Sequence, residues 1–347
     1  MNSKSYLSSN PNQFVIAGTG FCVGEKCFTN ASLIETFNIR IRESFIKKNI
    51  GIETRYFVSD TQTTSDLAVE AAQKALAKAN VSVNQLDRLI VATSTPDHST
   101  PSTACIVQHK LGGTGFPASD VVAACSGFMY GLDQALRGLA TGEETVLLIG
   151  VDCRSRTLNM QDKRTVFLYG DGAGAVVLTK QDVSESSASS TNKKGFVDCF
   201  VQAEGEGFNA VIVPAGGAAE PCTVENVTAM SHKLSMPSGE RVAQNALRGF
   251  QEVSEQLLAR NQLHLSDIDH FIFHQPNLRL LEKVSHNMDI DPHKVFINFN
   301  RYGNTVAGSV PIALSEAYEQ NVIKAGDKVL FCAVGGGYTK GAALYRA

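Results

Sequence analysis

Apolar residues recur along the chain with two periods. Through TSDLAVEAAQKALAKA (64–79) and ERVAQNALRGFQEVSEQLLARN (240–261) they return every three or four positions, which predicts two amphipathic helices. Thr64 or Ser65 stands where the first of these would be capped. A third helix is predicted after Cys125, where Phe128, Met129, Leu132, Ala135, Leu136 and Leu139 share one stripe and Gly142 ends it. Short apolar runs between helices predict strands at 14–18, 88–93, 145–150, 174–179, 196–203, 270–274 and 328–334. TVLLIG and KVLFCAVG are apolar without alternation, as in strands covered on both faces of an α/β layer.

The pattern repeats. LDRLIVATSTPD, from Leu86, matches IDHFIFHQPN, from Ile268, and Asp87 and Asp269 stand 182 residues apart. TGEETVLLIGVD matches KAGDKVLFCAVGGG, and Gly142 and Gly326 stand 184 apart. Two unrelated matches at nearly one offset imply duplicated halves, each a β-α-β-α-β alternation, over 13–185 and 186–347. The polar, Ser-rich stretch 181–195 reads as the exposed seam, and residues 1–12 as a frayed tail.

Composition narrows the function. The 347 residues carry 43% hydrophobic and 19% charged side chains, an ordinary globular balance. A formal charge of −3 argues against a nucleic-acid partner. No 18-residue apolar run and no signal-peptide core occur, so neither membrane insertion nor export is expected, and the location reads as cytoplasmic. Eight cysteines are scattered without a CxxC pair, which points away from a metal site and toward reduced thiols, most of them buried. GDGAGA (170–175) leads into an apolar strand instead of a helix, and GTGFCVG (18–24) has the wrong glycine spacing, so neither supports a dinucleotide site.

Three segments carry the candidate chemistry. Cys125, in VVAACSGF, lies where a strand-like run gives way to a helix. There the helix dipole and unpaired N–H groups favour a thiolate and can hold an oxyanion. For this cysteine the nucleophile is favoured over a packed core thiol. His274 ends the apolar strand FIF, and the carboxyl ends of α/β strands are where sites form. Asn304, in YGNT, reads by itself as a turn residue. It precedes VAGSVPIALSEAYE, which takes the place of the Cys125 helix in the other half, so the two segments would face one centre. Gly335-Gly336-Gly337 allows close backbone approach to a substrate oxygen, or simply a tight turn.

Taken together, ACSGF, HQPN, YGNT, GDGAGA and GGGYTKG resemble, in order and spacing, the β-ketoacyl-acyl carrier protein synthase III group of the thiolase superfamily, from about Phe14 to Ala347. The resemblance implies a duplicated thiolase-like five-layer αβαβα sandwich, usually a homodimer. It implies catalytic roles for Cys125, His274 and Asn304, and an oxyanion hole from the N–H groups of Cys125 and Gly336. The implied reaction is a decarboxylative Claisen condensation of a Cys-bound acyl group with a malonyl-type thioester. Acyl-coenzyme A and acyl carrier protein thioesters would be its substrates, with no permanently bound cofactor.

Departures shape the expectation. A Trp and an Arg that clasp the adenine end of coenzyme A are replaced by Phe45 and Asn49, while Arg156 and Arg279 match positions that contact the nucleotide or the carrier. A lysine pair for carrier docking becomes His286-Asn287, with Lys283 nearby. Thr100 stands for a Phe that reaches into the partner's acyl pocket, so the acyl group is expected to be longer or bulkier than acetyl. These changes favour polyketide or other specialised-metabolite synthesis slightly over fatty-acid initiation. Three alternatives stay open: acyl transfer to an alcohol or amine, condensation without decarboxylation (for which 94–101 offers Asp97 and His98), and an inactive carrier-binding scaffold.

Overall fold

The computed structural model describes residues 5–7, 13–181 and 194–347. Most of the tail expected over 1–12, most of the seam expected over 181–195 and the boundary at 185/186 lie outside them. Within the described part, residues 5–7 are not frayed. Leu7 is buried, the Arg137 guanidinium lies 4.3 Å from the centre of the Tyr6 ring, and the Tyr6 hydroxyl stands 3.2 Å from Asp133.

One sheet holds strands β1 (Gln13–Val23), β4 (Arg88–Ala92), β5 (Ala118–Val121), β6 (Thr145–Asp152) and β7 (Gly172–Gln181), in the order β1-β7-β6-β4-β5. A second holds β8 (Gly195–Ala203), β9 (His270–Phe273), β10 (Lys328–Gly335) and β11 (Thr339–Arg346), in the order β8-β11-β10-β9. The pairings correspond: β1–β7 and β6–β7 are antiparallel and β4–β6 parallel, as β8–β11 and β10–β11 are antiparallel and β9–β10 parallel. In place of β5 the second sheet has a single bridge, Phe271–Val295. A small ribbon, β2 (Lys26–Thr29) with β3 (Thr54–Phe57), lies apart.

Strand alternation assigns the layers. Along β6, Val146 and Leu148 point into a core shared with the second sheet, whereas Leu147, Ile149 and Val151 point the other way. The outward face is covered by α3 (Thr64–Ala79) and α4 (Thr103–Lys110) through Leu67, Ala71, Ala75 and Val107. Between the sheets lie α5 (Gly127–Ala140) and α10 (Ser309–Glu319), through Phe128, Leu132, Leu136, Val310 and Leu314. The outer face of the second sheet is covered by α7 (Gly239–Arg260) and α8 (Leu278–Asn287), through Phe250, Val253, Leu257 and Leu281. The layers run helix, sheet, helix, sheet, helix, the five-layer α/β sandwich expected. The remaining helices are short: α1 (Asn30–Thr36), α2 (Glu43–Asn49), α6 (Val224–Thr228) and α9 (Phe299–Tyr302).

Two local expectations are corrected. Neither Thr64 nor Ser65 caps α3: Thr63 does, in a capping box with Asp66, because Thr64 donates its hydroxyl to Thr95 O and Ser65 donates its own to Asp97. Cysteine burial is also less general than expected. Cys22, Cys153, Cys199 and Cys332 are buried, but Cys27, Cys105 and Cys222 are exposed.

Candidate active site

The two inner helices begin alike. Before α5 comes a single 3₁₀ turn, Ala124–Ser126, and before α10 another, Val306–Gly308. Each opens on a non-glycine residue in the left-handed region, Ala124 at φ +46° and Val306 at +53°. That conformation is unfavourable for both side chains, so tertiary packing must hold it. The strained turns stand 182 residues apart, the offset of the repeat. Cys125 is the middle residue of the first.

The backbone of the Cys125 turn is tightly packed. Ser126 Oγ and Thr339 Oγ1 both donate to Ala123 O, at 2.9 Å each. The end of β10 abuts the same turn: a Cβ on Gly335 would lie 2.9 Å from the backbone nitrogens of Cys125 and Ser126. Gly335 is thus required by close approach.

His274 follows β9 and is almost wholly buried, its backbone N–H donating to Cys332 O at 2.8 Å. Its Nδ1 has no hydrogen-bond partner. Burial pushes the imidazole pKa down to about 3, so it is neutral at physiological pH. Gln275, which sequence reasoning passed over, ties the loop in place. Its amide donates to Phe273 O and Phe296 O and accepts from the N–H groups of Asn298 and Phe299. Asn277 caps α8, its side chain accepting from the N–H groups of Arg279 and Leu280.

Asn304 is clamped by its backbone to the segment before β7: its N–H donates to Leu168 O, and Gly170 N–H donates to its carbonyl. Its Oδ1 accepts from Val306 N–H at 2.8 Å. With the oxygen so engaged, the amide NH₂ is the end left for the cysteine, whose thiolate the Asn304 side chain favours.

Cys125, His274, Asn304 and Gly336 line one chamber of about 350 Å³. The thiol itself corrects an expectation. The helix terminus was expected to favour thiolate, but burial pushes the Cys125 pKa up to about 12. The Arg154 guanidinium is the strongest opposing influence; the nearby charge of Asp152 adds to the rise, while the residue's own N–H and Asn304 oppose it. Desolvation outweighs the nearby groups that favour the thiolate.

Sequence reasoning missed four residues at this centre: Ser94, Arg154 and Tyr169, which line the chamber, and Asp152 behind them. Asp152 accepts from Ser94 N–H and Oγ, Thr95 Oγ1 and Ala307 N–H, so both its oxygens are engaged. Ser94, Asp152 and Arg154 shared one signal, position at the carboxyl ends of β4 and β6, whereas Tyr169 lies in the segment before β7.

The chamber opens on a vestibule of about 720 Å³, with Tyr169, Val242, Pro276, Leu280 and Asn304 common to both. Phe45, 56% exposed, lines the vestibule, as do Arg40, Arg42, Lys163 and Arg164. These four basic residues were also missed; RIR before α2 and KR before FLYGDG were their signal. Other residues assigned by resemblance do not join them. Arg156 donates to Ser59 O and Gln62 O; Arg279 donates to Lys47 O, Lys48 O and Glu282. Thr100 is exposed, outside either lining, and Asn49 donates to Phe45 O. Among the described residues, no cluster of three His, Cys, Asp or Glu is placed to hold a metal ion.

Comparison with known proteins adds independent findings. Residues 258–347 match the family model described as 3-oxoacyl-[acyl-carrier-protein (ACP)] synthase III C terminal, and 119–195 match that of 3-oxoacyl-[acyl-carrier-protein (ACP)] synthase III. The chain is 37% identical over 332 residues to the β-ketoacyl-[acyl-carrier-protein] synthase III of Solibacter usitatus, covering 95% of this chain and 98% of that one. It is 40% identical over 337 residues to the protein of the same description from Nitratidesulfovibrio vulgaris, covering 96% and 98%. The crystal structure of 3-oxoacyl-[acyl-carrier-protein] synthase III from Aquifex aeolicus superposes with a TM-score of 0.84 at 34% identity, covering 97% of this chain and all of that one.

Proposed function

The chain belongs to the 3-oxoacyl-[acyl-carrier-protein] synthase III family, and from that premise we propose a two-step condensation on Cys125. In the first step the Cys125 thiolate attacks the carbonyl of an acyl thioester. The new C–S bond forms, the old one breaks, and the departing thiolate takes up the proton that the Cys125 thiol gave up. In the second step a malonyl-type thioester enters through the vestibule and loses CO₂, and the electron pair left behind becomes an enolate. Its oxygen is held by His274 and the Asn304 amide. The enolate carbon attacks the acyl-cysteine, the N–H groups of Cys125 and Gly336 hold the oxyanion, and collapse releases the β-ketoacyl thioester and the cysteine.

One observation carries the reading: three segments far apart in the chain deliver a thiol, a neutral imidazole and an oriented amide to a single chamber. A buried lone pair without a partner costs less than a buried N–H without one, so the His274 proton belongs on Nε2, leaving Nδ1 as the unpartnered acceptor. An imidazole with its pKa near 3 donates a hydrogen bond without surrendering a charge. Condensation without decarboxylation is disfavoured, because it needs a carboxylate able to act as base. Asp97 is engaged at the start of α3, and Asp152 is saturated with donors.

The test separates the two steps. Asn304→Ala should still form an acyl adduct on Cys125, read by intact mass, yet release CO₂ from malonyl thioester at least about a hundredfold more slowly. Equal loss of both steps would sink the assignment. If no thioester acylates Cys125 in the native enzyme, the carrier-binding scaffold replaces the enzyme.

The basic rim of Arg40, Arg42, Lys163 and Arg164 suits the phosphates of coenzyme A or of a carrier protein's arm, with Phe45 offering a stacking face. Kinship with β-ketoacyl-[acyl-carrier-protein] synthase III proteins supports fatty-acid biosynthesis most directly. The replacement of aromatic bulk by Thr100 supports an acyl group larger than acetyl, which a polyketide pathway would also use. A homodimer in the cytoplasm completes the proposal. Among the described residues, no helix is long and apolar enough to cross a membrane.

A further inference from the structure

We infer that the acyl group loaded on Cys125 carries an oxygen acceptor, a carboxylate or a neutral carbonyl or hydroxyl, a few carbons from its thioester carbon, and that Arg154 receives it. The inference rests on the condensation reading above and names the substrate class it serves.

Much of the chamber wall is suited to hydrocarbon: Val211, Ile212, Val213, Leu234 and Val334 line it. Arg154 interrupts that wall. Its side chain is only 7% exposed and lines the Cys125 chamber, but not the vestibule through which a thioester arm would enter. It therefore faces the part of an acyl group that passes beyond the cysteine.

A guanidinium is always charged and offers five N–H groups. Two are engaged by protein hydrogen bonds, one to Ser94 Oγ and one to Thr157 Oγ1 at 3.3 Å. Asp152 does not use the others. Its nearest oxygen is 3.8 Å away, beyond hydrogen-bond distance, and both its oxygens already accept from other donors. Nearby carboxylate charge thus offsets part of the cost of burying the cation and leaves its donors unspent. Unspent donors on a buried cation favour an oxygen acceptor that enters the chamber.

The malonyl carboxylate is the wrong acceptor. A cation clamped on it would stabilise the charge that decarboxylation must remove, holding the ground state more tightly than the transition state. The acceptor belongs on the group that keeps its oxygen, the acyl chain on the cysteine.

The experiment compares near-isosteric donors on the intact enzyme: butyryl-, 3-hydroxybutyryl-, acetoacetyl- and succinyl-coenzyme A. Loading of Cys125 is timed by intact mass. At least one oxygenated donor should load at least about tenfold faster than butyryl, as expected for hydrogen bonds to a charged group. A succinyl preference assigns a carboxylate, and a preference for the other two a neutral oxygen. Arg154→Leu should erase the oxygenated-to-butyryl ratio, and Arg154→Lys should retain part of it. The wild-type panel alone tests the claim if Arg154→Leu fails to fold. Butyryl loading as fast as every oxygenated donor overturns the inference while sparing the condensation reading. So does a ratio unchanged in Arg154→Leu, which would leave the arginine as a counter-ion for Asp152 or the thiol. Absence of loading from every donor defeats both.

Discussion

Among single residues, the reactivity of Cys125 is set by opposing effects that the structure makes unequal. Burial pushes the thiol up to about 12, and His274, pushed down to about 3, holds no positive charge that could offset it. The thiolate fraction therefore grows about tenfold per pH unit through the neutral range. Alkylation of Cys125 by iodoacetamide should rise with that slope from about pH 7 to pH 9, with no step near the ordinary histidine value of about 6.5. Peptide mapping must follow it, because Cys27, Cys105 and Cys222 are exposed. A plateau below pH 8 would show that the helix terminus prevails after all. The three polar side chains were legible because each sits at a strand end or a helix start with a distinct local sequence. Arg154 and Asp152 were not: nothing in GVDCRSR distinguishes a buried chamber arginine from a surface one until β4, β6 and the turn at Ala307 are assembled around it.

Elements show the same division between local and assembled information. The α3 helix falls at the predicted residues, because its periodicity is local. Its cap differs, Thr63 in place of Thr64 or Ser65, because the Ser65 hydroxyl is drawn to a carboxylate from another loop: Asp97 accepts from Ser65 N–H at 3.0 Å and from the hydroxyls of Ser65 and Thr63. Loss of such a cap costs about 1 kcal/mol, and a chain this long should lose about 2 °C of melting temperature in Asp97→Ala. Acylation of Cys125 should persist in that variant. Abolished condensation with an unchanged melt would instead mark Asp97 as a participant in chemistry. Four strands escaped prediction, β2, β3, β5 and β11. TKGAALYR, the sequence of β11, has little β propensity of its own, with a glycine and two alanines. It is a strand because β8 and β10 pair with both its edges and because Ala343 and Tyr345 fill the layer between the sheets.

At the scale of the whole molecule, duplication explains both the site and a surface. Two strained turns at one offset face each other because the halves share one topology, and this carries Cys125 and Asn304 to one chamber. The symmetry fails at β5. The second sheet offers only the Phe271–Val295 bridge in its place, and β5 ends the first sheet with no partner on its outer edge among the described residues. An unprotected edge invites pairing with another chain. Val122, the next residue, is 75% exposed, an apolar side chain continuing that edge. Asp120 does not project freely there, because its carboxylate accepts the N–H groups of Thr103 and Ala104 at the start of α4. Edge-to-edge pairing of two copies would bury Val122 and bring the Thr100 loop, just before α4, against the partner. Light scattering should therefore find a dimer at micromolar concentration, and Val122→Lys should weaken it at least about tenfold. Within the dimer, Thr100→Phe should shift loading of Cys125 toward shorter acyl groups. In the dissociated Val122→Lys chain the same change should shift nothing. A monomeric native chain would refute the edge as an interface, and an acyl preference that moves in the monomer would place Thr100 at its own chamber instead of a neighbour's.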